Sequence, residues 1–114
     1  MKRDMVKAFK ALSDPNRLRI LKMLEVRDLC VCEVREVLDL STSTVSKHLS
    51  VLRDADLISD QKDGKWVNYC LNKRAESRFT RSLLTLVNAS LDEETAKSDN
   101  EKVNRVDRIK ICGT

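Results

Sequence analysis

Cys30 and Cys32 stand two residues apart in the stretch Asp28-Leu29-Cys30-Val31-Cys32-Glu33, and they are the sharpest chemical feature of the chain. Thiolates favour soft centres. Residues two apart on an ideal helix are rotated by about 200°, so the two sulfurs can close on one ion only where a helix start is irregular or unwinds. Binding there would deform the helix that carries the pair. Taken alone, a Cys-x-Cys reads first as two small buried apolar side chains and only second as a ligand pair. Cys70 reads as packing in a strand, and Cys112 stands alone near the end of the chain. There is one histidine, and there are two glycines. Cys-x-x-Cys, His-Glu-x-x-His, a phosphate-binding glycine loop and Gly-x-Ser-x-Gly are all missing. These are too few parts for an active site, and the sequence reads as a non-enzyme.

A second feature is a run of short hydroxyls followed by a basic hairpin. Ser41-Thr42-Ser43-Thr44 is a series of good helix N-caps, and Val45, Leu49 and Leu52 then repeat at helical spacing to about Ala55. At about 100° per residue, Ser43, Lys47 and Ser50 point away from Val45, while Thr44 and Ser46 flank the buried face. Alone, such hydroxyls read as caps. The segments Leu57–Lys62 and Lys65–Leu71 flank Asp63-Gly64, a strong hairpin signal, with Lys62 and Lys65 at its tip. A basic hairpin beside a hydroxyl-rich helix start suits phosphate oxygens and base edges. The candidate DNA contacts are therefore Thr42, Ser43, Thr44, Ser46, Lys47, His48, Ser50, Lys62 and Lys65. His48, at the border of the buried face, reads as packed or phosphate-contacting rather than as a metal ligand.

The other elements must position these two features. The chain has 114 residues, 41% of them hydrophobic and 4% aromatic, with three Gly and Pro in total. That favours one mostly helical domain with a single modest core. Met5, Val6, Phe9 and Leu12 share a helical face; Ser13-Asp14-Pro15 starts a second helix running to about Val26, and Cys32–Leu38 forms a short third. In the hairpin's second strand Trp66, Asn68 and Cys70 share one face, and Val67, Tyr69 and Leu71 the other. Glu76–Leu91 carries Phe79, Leu83, Leu86, Val87 and Leu91 in a stripe. From about Thr95 the chain is polar, with Val103, Val106 and Ile109 spaced by three, and is expected to fray. The net charge is +4: residues 1–30 and 57–81 carry +4 and +3, residues 31–56 and 82–114 carry −2 and −1. Long-range attraction to DNA is therefore moderate, and doubling the module would strengthen it. No apolar run approaches a membrane span, and the first residues lack the apolar core of a signal peptide; a cytoplasmic protein with thiol cysteines and no membrane partner is expected.

Taken in order, these motifs resemble the arsenic-repressor (ArsR/SmtB-type) family. Ala11-Leu12-Ser13-Asp14-Pro15-Asn16-Arg17-Leu18-Arg19-Ile20-Leu21 looks like its opening signature. Ser43-Thr44-Val45-Ser46-Lys47-His48-Leu49-Ser50-Val51-Leu52 resembles its recognition helix, and Asp63-Gly64-Lys65-Trp66-Val67-Asn68-Tyr69 its wing. Asp28–Glu33 is similar to the inducer motif of the arsenite-responsive members. The resemblance implies a mainly α winged helix-turn-helix with a small β-hairpin, over residues 1–96, followed by a polar tail at 97–114. It implies a homodimer built on the first and last helices, through Met5, Phe9, Leu83 and Val87, bound to double-stranded operator DNA. It also implies release by As(III), Sb(III) or an organoarsenical at Cys30 and Cys32, with no permanent cofactor. The third ligand stays open between Cys112, Cys70, a small cellular thiol and none at all for a singly substituted arsenical; Cys112 ranks first because a tail can move and a strand cannot. Three departures stand out. Arg35 occupies the position of the usual third cysteine, Asp56 replaces a common glycine, and no histidine accompanies Asp92, Glu93 and Glu94, so the zinc site of relatives lacks support. The rival readings are a thiol redox switch on the same scaffold and a winged helix that docks on protein without touching DNA.

Overall fold

The computed structural model describes residues 3–72, 78–90 and 93–107. The elements are α1 (Arg3–Leu12), α2 (Pro15–Val26), β1 (Leu29–Cys30), α3 (Val31–Leu38), α4 (Thr42–Asp54), β2 (Ile58–Asp63), β3 (Trp66–Leu71), α5 (Arg78–Ser90) and α6 (Glu93–Arg105). The expected mainly helical winged architecture is present. Ile20, Leu21 and Met23 of α2, Val34 and Val37 of α3, Val45, Leu49 and Leu52 of α4, and Leu57, Ile58 and Leu71 around the sheet form one core. The periodic residues of α4 are its buried ones, which leaves the opposite side of that helix outside.

Local chemistry sets the helix ends. Asp14 is extended and accepts the amides of Asn16 (2.8 Å) and Arg17 (3.2 Å), with Pro15 leading the helix. Burial pushes the Asp14 carboxyl up, but those two amides, with the nearby His48 and Arg17, outweigh it and hold the group below its usual range. The cap is thus at full strength above the unfolded carboxyl's titration and fades as acid protonates the folded one. Asp39 ends α3 in the left-handed conformation (φ 56°), and Ser41 caps α4 by accepting the Thr44 amide at 3.2 Å. Asp56, in the place of the common glycine, adopts φ 61°. An aspartate tolerates that region better than most side chains.

The sheet differs from expectation in two respects. Asp63 pairs with Trp66, so the hairpin loop is Gly64-Lys65 rather than Asp63-Gly64. Gly64 sits at φ 61°, the positive φ that the first central position of a II′ turn requires. Moreover, the hairpin is not isolated. Leu29 and Cys30 pair antiparallel with Tyr69 and Asn68, giving the strand order β1-β3-β2.

The expected fraying after Thr95 is not found over residues 93–105, which form α6. Ala96, Asp99 and Val103 are its buried positions, and it packs on α2. The anchor is charged: Arg19 donates from Nε and Nη2 to the two carboxylate oxygens of Asp99, both at 2.9 Å. A bidentate pair of this kind fixes register as well as contributing energy. On α1, the inward residues are the small Ala8 and Ala11, whereas Val6 and Phe9 stay exposed.

Candidate functional site

Hydroxyls crowd the start of α4. Thr42, Ser43, Thr44 and Lys47 are exposed, and Ser46, His48 and Ser50 are half-buried along the same helix. Ser41 Oγ donates to Thr44 Oγ1 at 2.8 Å and lies 3.3 Å from Ser43 Oγ. The free amides at this helix end carry partial positive charge, which suits phosphate oxygens. Lys62 and Lys65 are exposed on the hairpin, and the Lys65 ammonium lies 4.7 Å from the Trp66 ring centroid. Arg53 of α4 meets Asp60 of β2 at 3.2 Å, tying helix and hairpin together. His48 presents Nδ1 to Arg17 Nη1 at 3.2 Å.

The cysteine pair straddles a junction. Cys30 ends β1, opposite Asn68 of β3, and has extended φ and ψ of −92° and 170° as the N-cap of α3. Cys32 lies in the first helical turn and is half-buried. Cys30 thus lies just outside α3 and Cys32 inside it, so the pair is not held to the roughly 200° rotation of two residues within one helix. Cys30 is only 2% exposed. Burial pushes its thiol above the usual range, and the Glu33 carboxylate beside it adds to the rise, against the opposing pull of backbone amides. Cys32 is disulfide-bonded, whereas Cys30 and Cys70 are free. Cys112 lies outside the described residues. Cys70 is half-buried in β3, with its sulfur 3.1 Å from Ser59 Oγ.

Two residues without an expected role organise this junction. Glu33, 4% exposed, accepts the Cys30 amide at 3.0 Å through Oε1. Its Oε2 accepts from Arg27 Nη2 at 2.9 Å, and the same nitrogen reaches the Val103 and Val106 carbonyls at 3.1 and 3.0 Å. Arg27 thereby holds the end of α6 against the start of α3. A polar cleft of about 500 Å³ opens here, lined by Asp28, Glu33, Asn68, Asn104 and Asp107. The spacing of Glu33 three residues after an N-cap position is a capping-box signal visible in sequence; cysteine is an unusual residue to begin one. Among the described residues no group of three or more His, Cys, Asp and Glu side chains is arranged to hold a metal ion.

The residues expected at a dimer contact divide. Met5 is half-buried and Phe9 is 49% exposed, but Leu83 and Val87, at 6% and 8%, pack within the protomer. Leu86, 60% exposed, is a large apolar residue that α5 presents outward. Phe9 and Phe79 meet edge to face with centroids 5.9 Å apart, joining α1 and α5 into one surface.

An exposed helix start beside a hairpin that carries two exposed lysines, both set on a helical core, defines a winged-helix DNA-binding regulator. Residues 14–60 match the family model for "Bacterial regulatory protein, arsR family". The chain is 35% identical over 104 residues to the "Arsenical resistance operon repressor" of Escherichia coli (strain K12), covering 90% of this chain and 81% of that one. It is 41% identical over 70 residues to the "Cadmium resistance transcriptional regulatory protein CadC homolog" of Staphylococcus aureus, covering 60% and 58%. Among solved structures, reduced HlyU from Vibrio cholerae N16961 superposes with a TM-score of 0.63 at 32% identity, over 75% of this chain and 86% of that one. The chain belongs to the ArsR family of DNA-binding transcriptional repressors, and it is not an enzyme. Among the described residues no helix is long and apolar enough to cross a membrane.

Proposed function

We propose that this repressor is a cytoplasmic homodimer that, with its cysteines reduced, leaves its operator when As(III), Sb(III) or an organoarsenical binds the Cys30 and Cys32 thiolates. The observation that carries the reading is the seat of Cys30, at once the last residue of β1 and the N-cap of α3. Drawing Cys30 and Cys32 onto one centre pulls on two DNA-facing parts together: the hairpin, through the Cys30–Asn68 pairing, and α4, through α3. Bound inducer and bound DNA then demand different shapes of one junction, which is what a switch requires. A soft trivalent centre needs only sulfur ligands and no cluster of carboxylates and histidines, of which none is found among the described residues. Cys112 is the proposed third ligand. Asp107 lines the cleft beside Glu33, and the five residues from there to Cys112 reach at most about 17 Å when extended. For the dimer, Val6, Phe9 and Leu86 supply an apolar surface on α1 and α5.

A release titration under strict reductant tests the inducer. Arsenite or antimonite is expected to free the operator at concentrations at least about tenfold below those of Cd(II) or Zn(II), a preference of about 1.4 kcal/mol. Equal potency of Cd(II) would assign the site to a different ion. The proposed DNA face has its own test. Lys47→Ala should weaken operator binding and lower the salt slope by about 1, as loss of one phosphate contact does; an unchanged slope removes Lys47 from the contact.

A second reading has its own support in the disulfide-bonded state of Cys32. Two thiols that form a disulfide give up two protons and two electrons to an oxidant such as a peroxide, and the same junction would be locked by that bond. Release by peroxide, with no response to arsenite in the fully reduced protein, selects this reading.

A further inference from the structure

Arg17 has a position that the opening signature alone does not explain. It lies in the first turn of α2, and its side chain is only 16% exposed. Nε donates to the Ala11 carbonyl at 2.7 Å and Nη2 to the Lys10 carbonyl at 3.3 Å. Both carbonyls belong to the last turn of α1, where helix carbonyls lack intrahelical donors. The remaining arm, Nη1, reaches His48 Nδ1 on α4 at 3.2 Å. One planar fork thus joins the end of α1, the start of α2 and the middle of α4. A guanidinium only donates, so Nδ1 is the acceptor in this contact. The Asp14 carboxylate lies 4.0 Å from the guanidinium and keeps this cluster from being purely cationic.

We infer that Arg17 is a positioning residue for DNA binding: by holding the His48 imidazole it fixes the rotation of α4 against the end of α1, and so aims the face carrying Ser43, Lys47 and Ser50. The apolar seats of Val45, Leu49 and Leu52 hold α4 to the core, but interchangeable hydrophobic contacts leave its rotation less sharply defined than a directed bond does. The inference rests on the reading of α4 as the helix that meets the groove and is independent of the inducer.

Side-chain amides dissect the contact. His48→Asn puts an amide oxygen near the Nδ1 position and can still accept from Arg17; His48→Gln puts its amide near Nε2 instead. Operator affinity of His48→Asn is expected to exceed that of His48→Gln by about threefold or more. His48→Gln and Arg17→Gln should each lose about tenfold, the effect of one hydrogen bond to a charged group. The salt slope of Arg17→Gln should stay unchanged, because Arg17 acts through His48 and not on phosphate. Thermal midpoints recorded alongside identify any loss due to unfolding, and the two His48 variants carry the test if Arg17→Gln does not fold. A Gln variant as good as the Asn variant, equal loss in both, or a slope reduced by about 1 in Arg17→Gln would overturn the inference. If Lys47→Ala also leaves affinity and slope untouched, the failure belongs to the reading of α4; if Lys47→Ala weakens binding while the Arg17 and His48 variants do not, it belongs to Arg17 alone.

Discussion

With Cys30 and Cys32 both replaced by serine, the repressor is expected to hold its operator within about threefold of the parent affinity and to ignore arsenite. The retained binding follows from where the cysteines sit. Cys30 is an N-cap, a position at which serine is among the preferred residues, and Glu33 still accepts the backbone amide of residue 30. Cys32 is half-buried in the first turn, where a hydroxyl can reach solvent or an unpaired backbone group. The lost response follows from chemistry, since hydroxyls are hard and poor ligands for a soft centre. Coupling between two sites in switches of this kind is typically about 1–3 kcal/mol, so the parent should lose roughly 5- to 150-fold in operator affinity with arsenite, and the variant nothing. Fluorescence anisotropy of labelled operator, in reductant and with and without arsenite, measures both. A double variant that still dissociates as the parent does would remove these sulfurs from the mechanism.

Leu49→Ala carries the largest expected loss of stability. Leu49 is fully buried on the inner side of α4, directly after the histidine that Arg17 holds. Truncating such a leucine costs about 2–5 kcal/mol, the lost transfer energy plus the cavity left behind. That is a large share of the roughly 5–15 kcal/mol by which a domain is stable. The urea midpoint should fall accordingly with an unchanged slope, and operator binding should fall with it because α4 loses its seat. Ser50→Ala, next along the helix but pointing elsewhere, should change the stability by less than about 0.5 kcal/mol. A cost below about 1 kcal/mol at Leu49 would mean that α4 does not depend on this contact.

The parts readable from sequence were those that local rules specify. Val45, Leu49 and Leu52 mark their own helical face, Asp14-Pro15 marks a helix start, and Gly64 marks a hairpin. The hairpin register came out one residue from expectation, because a glycine serves either central position of a primed turn and only pairing along the strands chooses between them. Long-range pairing stayed hidden. β1 is two residues long and exists only through Tyr69 and Asn68, about forty positions away, so no periodicity announces it. Helix α6 has few apolar residues, and its anchor is Arg19–Asp99, a contact spanning 80 positions. The cysteine pair was legible as chemistry, but its seat between the hairpin sheet and α3 was not, and neither was the Arg27–Glu33 brace behind it.

Arsenite affinity measured on the fully reduced protein, free and then saturated with operator duplex, tests the central claim most directly. Linkage requires that DNA weaken arsenite binding by the same factor that arsenite weakens DNA binding. The account predicts equal factors of at least about fivefold, both abolished when Cys30 and Cys32 are serine. Arsenite that binds free and operator-bound protein with the same affinity would contradict it.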